Sequence, residues 1–219
     1  MTTRKVPVIE RIMGANDTQA ADNRRVFDSS GIHVVNIMAS PGAGKTSLIL
    51  ETVKRLKDDI RIAAIEGDLA STVDTDKVRA AGTPAVQINT GGGCHLDAKQ
   101  VAGSLRELPM DQLDLIFIEN VGNLVCPAGF ALGEHTRLVI SSVPEGDDKP
   151  YKYPKMFANV DALVINKIDL LPYLPFDVEA FKTLVRGLNP EIEIFAVSCV
   201  SGEGMDEWTT WLRNLVGSQ

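Results

Sequence analysis

Two segments of this sequence carry the residue types of a nucleotide site. The first follows an apolar, β-branched run at 33–38 and consists of Pro41, Gly42, Ala43, Gly44, Lys45, Thr46 and Ser47. Glycines let backbone amides converge on phosphate oxygens, and a helix beginning near Lys45 points its positive end at them. Lys45 would neutralise β- and γ-phosphate charge, while Thr46 would ligate Mg²⁺. Although Ala39 stands where the usual motif has its first glycine, this context predicts a phosphate-binding loop.

The second segment points to guanine. Asn166, Lys167 and Asp169 follow the apolar run at 163–165, and the Asp169 carboxylate could accept hydrogen bonds from the ring N1 and the exocyclic amine of guanine, which adenine lacks. Ser198 and Cys199, after the last apolar run, fit a loop that supports the base, although an ordinary strand-to-helix turn explains that spacing equally well. The pair of segments predicts a GTPase. If the chain were a small-molecule kinase instead, the presence of Asn166 and Asp169 at this spacing would be a coincidence.

Acidic residues lie between these segments. A GTPase needs such groups to hold Mg²⁺ and to position water. Glu119 ends an apolar run and begins a Glu-x-x-Gly sequence, and Glu66, Gly67 and Asp68 follow another run. We assign Lys45, Asp68, Asp74 and Glu119 to catalysis, and Thr46, Asp68, Asp74 and Glu119 to Mg²⁺. Each acid could instead cap a helix or lie in solvent.

Sulfur and imidazole groups form a third set. Cys94 and His95 follow a run of glycines at the predicted start of a helix, and Cys126 lies seven residues after Glu119. A helix N-terminus favours the thiolate, so the three side chains predict a nickel or zinc site near the nucleotide. Three ligands leave a four-coordinate metal one short, which requires an exogenous ligand or a site shared in a two-fold dimer. The alternative is an incidental Cys and His pair. His33 and His135 are expected to be structural or solvated.

The elements that position these groups follow from periodicity. Apolar runs alternate with helical patterns, as in a mostly parallel sheet covered by helices on both faces. The predicted strands are 33–38, 60–65, 85–88, 115–118, 138–143, 163–165 and 192–197. The predicted helices are 45–57, 74–81, 97–108, 176–188 and 205–216, preceded by a helical pattern at 8–27. We therefore expect an α/β P-loop NTPase with an N-terminal helical arm at 1–30 and a GTPase domain at 31–219.

Composition excludes several other classes. The 219 residues carry a formal charge of −7 without a basic cluster, which disfavours nucleic acid as a partner. No run approaches the ~18 apolar residues of a membrane span, and no signal peptide is apparent. The three cysteines are an odd set, which makes a disulfide framework unexpected. A cytoplasmic protein without a membrane partner is the expectation.

With these residues identified, the chain resembles the hydrogenase-maturation GTPases of the HypB family over nearly its whole length. Besides the phosphate and guanine segments, the strings that carry the resemblance lie at 16–24, 66–68, 93–98, 118–127 and 145–148. The Cys-His-Leu-Asp-Ala and Glu-Asn-Val-Gly-Asn-Leu-Val-Cys-Pro strings are the most specific.

The resemblance implies a SIMIBI-type fold and a function. It implies a GTP-hydrolysing nickel-delivery protein that dimerises with GTP and holds metal through Cys94, His95 and Cys126 at the dimer interface. Its partners would be a hydrogenase large-subunit precursor and a nickel metallochaperone. Lys152 would contact the nucleotide of the partner subunit.

Some members of the family carry an N-terminal cysteine motif or a His-rich tract, and residues 1–30 contain neither Cys nor His. High-affinity nickel storage is therefore not expected. The alternatives are another metal-insertion GTPase, such as a urease accessory protein, and a zinc-dependent scaffold that the nucleotide switches. Cys94, His95 and Cys126 favour hydrogenase maturation over the urease accessory proteins.

Overall fold

The apolar runs form a single parallel sheet. The computed structural model describes residues 8–69 and 71–217, with side chains from residue 13 onward. Its strands are β1 (His33–Ala39), β2 (Ile62–Asp68), β3 (Ala85–Asn89), β4 (Leu115–Glu119), β5 (Thr136–Ser142), β6 (Ala162–Asn166) and β7 (Glu193–Ala196). They are ordered β3-β2-β4-β1-β5-β6-β7, and every neighbouring pair is parallel. The predicted strands and parallel sheet are confirmed.

The helices connect these strands. They are α1 (Val8–Ser30), α2 (Lys45–Leu56), α3 (Val73–Ala80), α4 (Ala98–Ser104), α5 (Lys149–Lys152), α6 (Pro154–Ala158), α7 (Val178–Leu188) and α8 (Met205–Gly217). The helix expected at 97–108 ends at Ser104 and continues as a 3₁₀ turn, Leu105–Glu107. Leu108 is extended, as the residue before a proline prefers. The short α5 and α6 were not expected, since four or five residues carry too little periodicity to be recognised.

Alternating residues of the central strand fill hydrophobic layers on the two faces of the sheet. Val35 and Ile37 of β1 face the layer formed with α2, α3 and α8. On the other face, Val34 packs in the layer of α1 and α4, and Met38 packs in that of α6 and α7. Because successive side chains of a strand point to opposite faces, each strand end presents one residue to the α2 side and the next to the opposite side. The predicted helices on both faces are confirmed.

Helix α1 packs against the layer that contains Val34. Phe27 is fully buried there, and Asn16 and Asn23 bond to backbone groups of distant segments. The division into an arm at 1–30 and a domain at 31–219 stays a prediction, and residues 1–7 lie outside the described part of the chain.

Parallel pairing brings the carboxyl ends of all strands to one edge of the sheet. The loop after β1 lies at the centre of this edge, with β4 and β2 on one side and β5, β6 and β7 on the other. Ligands of open α/β sheets bind at such an edge. Within the described residues, no helix combines the length and the apolarity that a membrane span needs.

Candidate nucleotide and metal sites

The loop between β1 and α2 has the backbone conformation that anion binding requires. Gly42 and Gly44 adopt φ angles of 76° and 100°, which residues with a Cβ rarely take up. Gly44 is the N-cap of α2 and has no side chain to cap the helix, which leaves its first amides to an anion. Lys45, the first residue of the helix, is buried. The structure thus places the predicted phosphate loop at a helix N-terminus in the middle of the sheet edge.

Lys45 and Thr46 meet the end of β4. Thr46 Oγ1 lies 3.1 and 3.0 Å from the two carboxylate oxygens of Glu119. Lys45 Nζ lies 3.8 Å from Glu119 Oε1. A hydroxyl and a carboxylate are the hard oxygen donors that Mg²⁺ prefers. This donor set therefore fits the Mg²⁺ ion that accompanies a nucleoside triphosphate.

Glu66 belongs to the same cluster, although the sequence motif alone did not assign it. It lies opposite Glu119 in the register of β2 and β4 and is 2% exposed. Burial, then the charge of Glu119 and a hydrogen bond to it, raises the pKa of Glu66 to about 10. Glu66 is therefore neutral at pH 7. Burial also raises the pKa of Glu119, although hydrogen bonds with Glu66 and Thr46 and the charge of Lys45 oppose this shift.

The two predicted aspartates lie at the rim of this cluster. Asp68 ends β2 and accepts a bond from the Ser71 amide at 2.9 Å. Asp74 lies in the first turn of α3, pairs with Lys77 at 2.8 Å, and acts electrostatically on Glu66. The N-cap of α3 is Thr72, so Asp74 does not cap the helix.

The predicted guanine segment contacts the phosphate loop directly. Asn166, almost fully buried, donates from Nδ2 to the Ala43 carbonyl at 3.0 Å. Lys167 has a φ of 63° and donates from Nζ to the Gly42 carbonyl at 2.6 Å. These bonds fix the position of Asp169 relative to the phosphate site.

The loop after β7 orients the Asp169 carboxylate. Ser198 is buried, and its hydroxyl donates to Asp169 Oδ1 at 2.5 Å. Cys199 Sγ lies 3.5 Å from Asn166 Oδ1, and burial raises its thiol pKa to about 11. A cavity of about 610 Å³ opens here, and among its lining residues are Ser47, Asn166, Lys167, Asp169 and Cys199. Its walls combine apolar surface with the groups that would recognise guanine.

The predicted sulfur and imidazole groups converge in space. The Cys94, His95 and Cys126 ligand atoms all lie within 4.8 Å of one another. Cys94 Sγ is 3.5 Å from His95 Nδ1, and the His95 ring stacks on Phe130 with a centroid distance of 3.8 Å. Two sulfurs and one imidazole suit nickel or zinc. The three groups thus fit a metal ion as a set.

The position of Cys94 differs from the expectation in one respect. The helix begins at Ala98 and is capped by Asp97, so Cys94 lies outside its first turn. A hydrogen bond with Cys94, followed by burial, raises the pKa of Cys126. Burial lowers the pKa of His95, which keeps the imidazole neutral at pH 7 and able to bind a metal.

The remaining residues considered from the sequence lie elsewhere. Lys152 is an exposed residue of α5 that pairs with Asp148 and lines a groove beside Val125, next to the cluster. His33 Nε2 lies 2.9 Å from the Thr136 hydroxyl, and its ring stacks on His135 at 4.9 Å. His135 accepts a bond from the Val34 amide at its Nδ1, and its Nε2 lies 2.9 Å from Asp28 Oδ1.

Comparison with known proteins gives the family. The family model described as CobW/HypB/UreG, nucleotide-binding domain, matches residues 33–196. Hydrogenase maturation factor HypB of Escherichia coli strain K12 is 50% identical over 214 residues, which span 97% of this chain and 74% of that relative. This chain belongs to the HypB family.

Solved HypB structures share the whole fold. HypB of Archaeoglobus fulgidus is 40% identical with a TM-score of 0.87, covering 93% of this chain and 99% of that one. HypB of Helicobacter pylori, solved in complex with nickel, is 38% identical with a TM-score of 0.89, covering 93% and 96%. The signal recognition particle receptor FtsY of Elizabethkingia anophelis shares only the fold, at 15% identity and a TM-score of 0.53 over 75% of this chain and 56% of that one.

These matches confirm the family resemblance and the SIMIBI-type GTPase fold. The HypB strings at 93–98 and 118–127 contain Cys94, His95, Cys126 and the Glu119 strand end. The chain is therefore a HypB-type hydrogenase maturation factor with a nucleotide-binding domain.

Proposed function

We propose that this chain is a GTP-hydrolysing metallochaperone that inserts nickel into the large-subunit precursor of a [NiFe]-hydrogenase in the cytoplasm. The observation that carries the proposal is the convergence of Cys94, His95 and Cys126 on segments that leave β3 and β4. Glu119, at the end of β4, faces Lys45 and Thr46 of the phosphate loop. One strand end would thus serve both nucleotide and metal.

GTP would bind with its phosphates on the loop that begins at Pro41 and its base against Asp169. Thr46, Asp68, Asp74 and Glu119 would hold Mg²⁺, which when bound neutralises charge on the phosphates. Lys45 would add a positive charge next to the β- and γ-phosphates. We expect slow intrinsic turnover, as in GTPases to which no arginine is supplied.

Nickel would be carried as cargo. Three protein ligands leave room for a group from outside the chain, which suits a site that must both receive and release a metal. In a two-fold dimer the same patch would be used twice. GTP would order the Asp68 and Glu119 segments and close the dimer, and Lys152 would contact the partner's nucleotide.

Hydrolysis would reverse these changes and release nickel toward the precursor, with a nickel metallochaperone as donor. If metal affinity depends on the nucleotide, nucleotide affinity must depend equally on the metal. Zinc, which the same ligands accept, would bind without being passed on if the chain were a scaffold.

Size-exclusion chromatography with metal analysis would test this proposal. The chain is loaded with GDP or with a non-hydrolysable GTP analogue, with nickel or zinc present. We expect a monomer with GDP and a nickel-containing dimer with the analogue. Cys126→Ala should lose the metal, whereas the adjacent exposed Val125→Ala should keep it.

An elution volume and nickel content that are the same with both nucleotides would contradict nucleotide-controlled delivery. Loss of dimerisation in Cys126→Ala, with zinc retained by the unaltered protein in both states, would favour the zinc-dependent scaffold.

A further inference from the structure

Glu119 and Asn120 are consecutive residues at the carboxyl end of β4, and their side chains lie on opposite faces of the sheet, one toward each candidate site. Glu119 points to the α2 side, where it meets Lys45 and Thr46. Asn120 follows it, and its amide bonds to the Ile37 carbonyl of β1 at 3.0 Å, which prolongs the strand pairing. Consecutive side chains in such backbone point to opposite faces. A displacement of Glu119 would therefore be transmitted to Asn120.

The fully buried Asn120 side chain holds the metal segment. Its Oδ1 accepts bonds from the amides of Leu96 and Val121, each at 3.0 Å. Leu96 directly follows His95. Asn120 is thus joined by one hydrogen bond to the backbone of the segment that carries two of the three metal-binding side chains.

The other end of the Asn120 amide is anchored in the sheet. Nδ2 donates to Asn36 Oδ1 at 3.3 Å, and Asn36 Nδ2 donates to Glu134 Oε1 at 3.2 Å. All three side chains are buried. This position needs a short side chain with both an acceptor and a donor, and an asparagine meets that requirement.

Van der Waals contacts follow the same route. A Cβ at Gly67, between Glu66 and Asp68, would lie 2.7 Å from Leu96 Cγ, so the end of β2 packs on the metal segment. A Cβ at Gly122 would lie 3.0 Å from the Pro41 ring and nitrogen. The phosphate loop, the ends of β2 and β4, and the metal segment therefore form one contiguous contact.

Two asparagines of α1 also hold the metal segments. Asn23 Nδ2 donates to the carbonyls of Ala98 and Leu132, at 2.8 and 2.9 Å. Asn16 accepts from the Ala98 amide at 2.9 Å. These bonds join the same segments to α1 and not to the nucleotide side, so they provide a matched comparison for Asn120.

We propose that Asn120 is the positioning residue through which the nucleotide state, sensed at Glu119, changes the placement of His95 relative to Cys126. This inference rests on the proposed function, since it requires that GTP alters metal binding. A shift of Glu119 moves the Asn120 side chain. Because the Leu96 amide is hydrogen-bonded to that side chain, Leu96 and the preceding His95 move with it. The coupled element is the two-residue strand end, not the whole loop.

The inference is tested by measuring the nickel dissociation constant in the GDP state and in the GTP-analogue state. Both constants are measured for the unaltered chain, Asn120→Ala and Asn23→Ala. The ratio of the two constants measures coupling, and in the unaltered chain we expect at least about fivefold. Asn120→Ala should bring the ratio close to one. Asn23→Ala should weaken nickel binding in both states by the same factor and keep the ratio.

The outcomes separate the two proposals. A ratio of one in the unaltered chain overturns the nucleotide-controlled function and the role of Asn120 with it. A normal ratio there that persists in Asn120→Ala overturns only the role of Asn120. Loss of the ratio in Asn23→Ala as well as in Asn120→Ala would also overturn it, because general loosening would then suffice.

Amide hydrogen exchange in the unaltered chain gives a test that needs no folded variant. The Leu96 amide, held by Asn120, should exchange at rates that differ at least about fivefold between the two nucleotide states. The Ala98 amide, held by Asn16, should exchange equally in both. Equal exchange of Leu96 in two states that differ in nickel affinity would overturn the proposal.

Discussion

Glu66 and Glu119 form a pair of buried carboxyl groups beside a lysine. Two neighbouring carboxylates in a low-dielectric site cannot both be charged without a large cost, so one of them keeps its proton. Lys45 and Thr46 contact Glu119, whereas Glu66 Oε1 has no such partner within the described part of the chain. Glu66 therefore keeps the proton, whereas Lys45 and Thr46 favour the charged form of Glu119 against the effect of its burial.

This protonation predicts a pH dependence of stability. Unfolded Glu66 titrates near its ordinary pKa of 4.5, whereas in the fold it titrates at about 10. Between these values the folded state binds one more proton, so its stability falls as pH rises, by up to ~1.4 kcal/mol per unit. Glu66→Gln should reduce this slope in the nucleotide-free, metal-free protein, as measured by urea unfolding between about pH 6 and 8.

The exposed Glu191→Gln serves as the control and should leave the slope unchanged. An identical slope in Glu66→Gln would mean that Glu66 is ionised in the folded chain.

At the scale of elements, strand positions could be predicted from the sequence and strand order could not. Each β-branched run indicates its own strand, and Lys45, Asn166 and Cys126 could be assigned because each belongs to a local motif. Glu66 could not, because its role depends on β2 lying beside β4, a contact between segments about fifty residues apart along the chain. Asn120 is inconspicuous for the same reason, since its partner Leu96 is distant in sequence.

Contacts between loops also depend on strand order. Gly122 belongs to the Glu-x-x-Gly segment after β4 and packs on Pro41 after β1. Gly122→Ala would displace the phosphate loop by a few tenths of an ångström, since the neighbouring atoms include backbone. We expect the affinity for GDP to fall about tenfold, equivalent to ~1.4 kcal/mol, in a fluorescent-nucleotide titration.

Gly129 lies on the same segment and provides the control. Among the described residues, no atom beyond the immediate chain neighbours and local helix backbone lies within 4 Å of the position that a Cβ would take there, and the backbone does not have a positive φ. Gly129→Ala should therefore bind GDP like the unaltered chain. Equal affinities for Gly122→Ala and Gly129→Ala would show that the loop contact has no influence on nucleotide binding.

At the scale of the whole molecule, α1 contributes to the core. Phe27 is fully buried in the layer that contains Ile116 and Leu132. Asn16 and Asn23 bond to Ala98 and to the segment at 131–132, which flank the cluster of two cysteines and one histidine. Removal of residues 1–30 would expose this layer. The predicted boundary at residue 31 therefore divides α1 from the hydrophobic layer that α1 covers.

We expect a chain of residues 31–219 to be much less stable than the full chain. Phe27→Ala alone should lower the free energy of unfolding by ~3–5 kcal/mol, because it leaves a cavity in a packed layer. Val26→Ala, at an exposed position of the same helix, should cost no more than ~0.5 kcal/mol. Urea unfolding followed by circular dichroism measures both.

Unfolding midpoints for the truncated chain and for Phe27→Ala that match the full chain would make residues 1–30 a true appendage. The same result would remove the structural basis for the Asn16 and Asn23 bonds as supports of the metal segments.

The strand order also separates two kinds of recognition along the sheet edge. The segments after β3 and β4 carry Cys94, His95 and Cys126, those after β6 and β7 carry the residues proposed to contact guanine, and β1 with its phosphate loop lies between them. Under the proposed function, substitutions that alter which metal is accepted could therefore accumulate in one half without disturbing base selectivity in the other. A chimera that exchanges residues 85–132 between relatives should inherit its cargo from the donor and its nucleotide preference from the recipient.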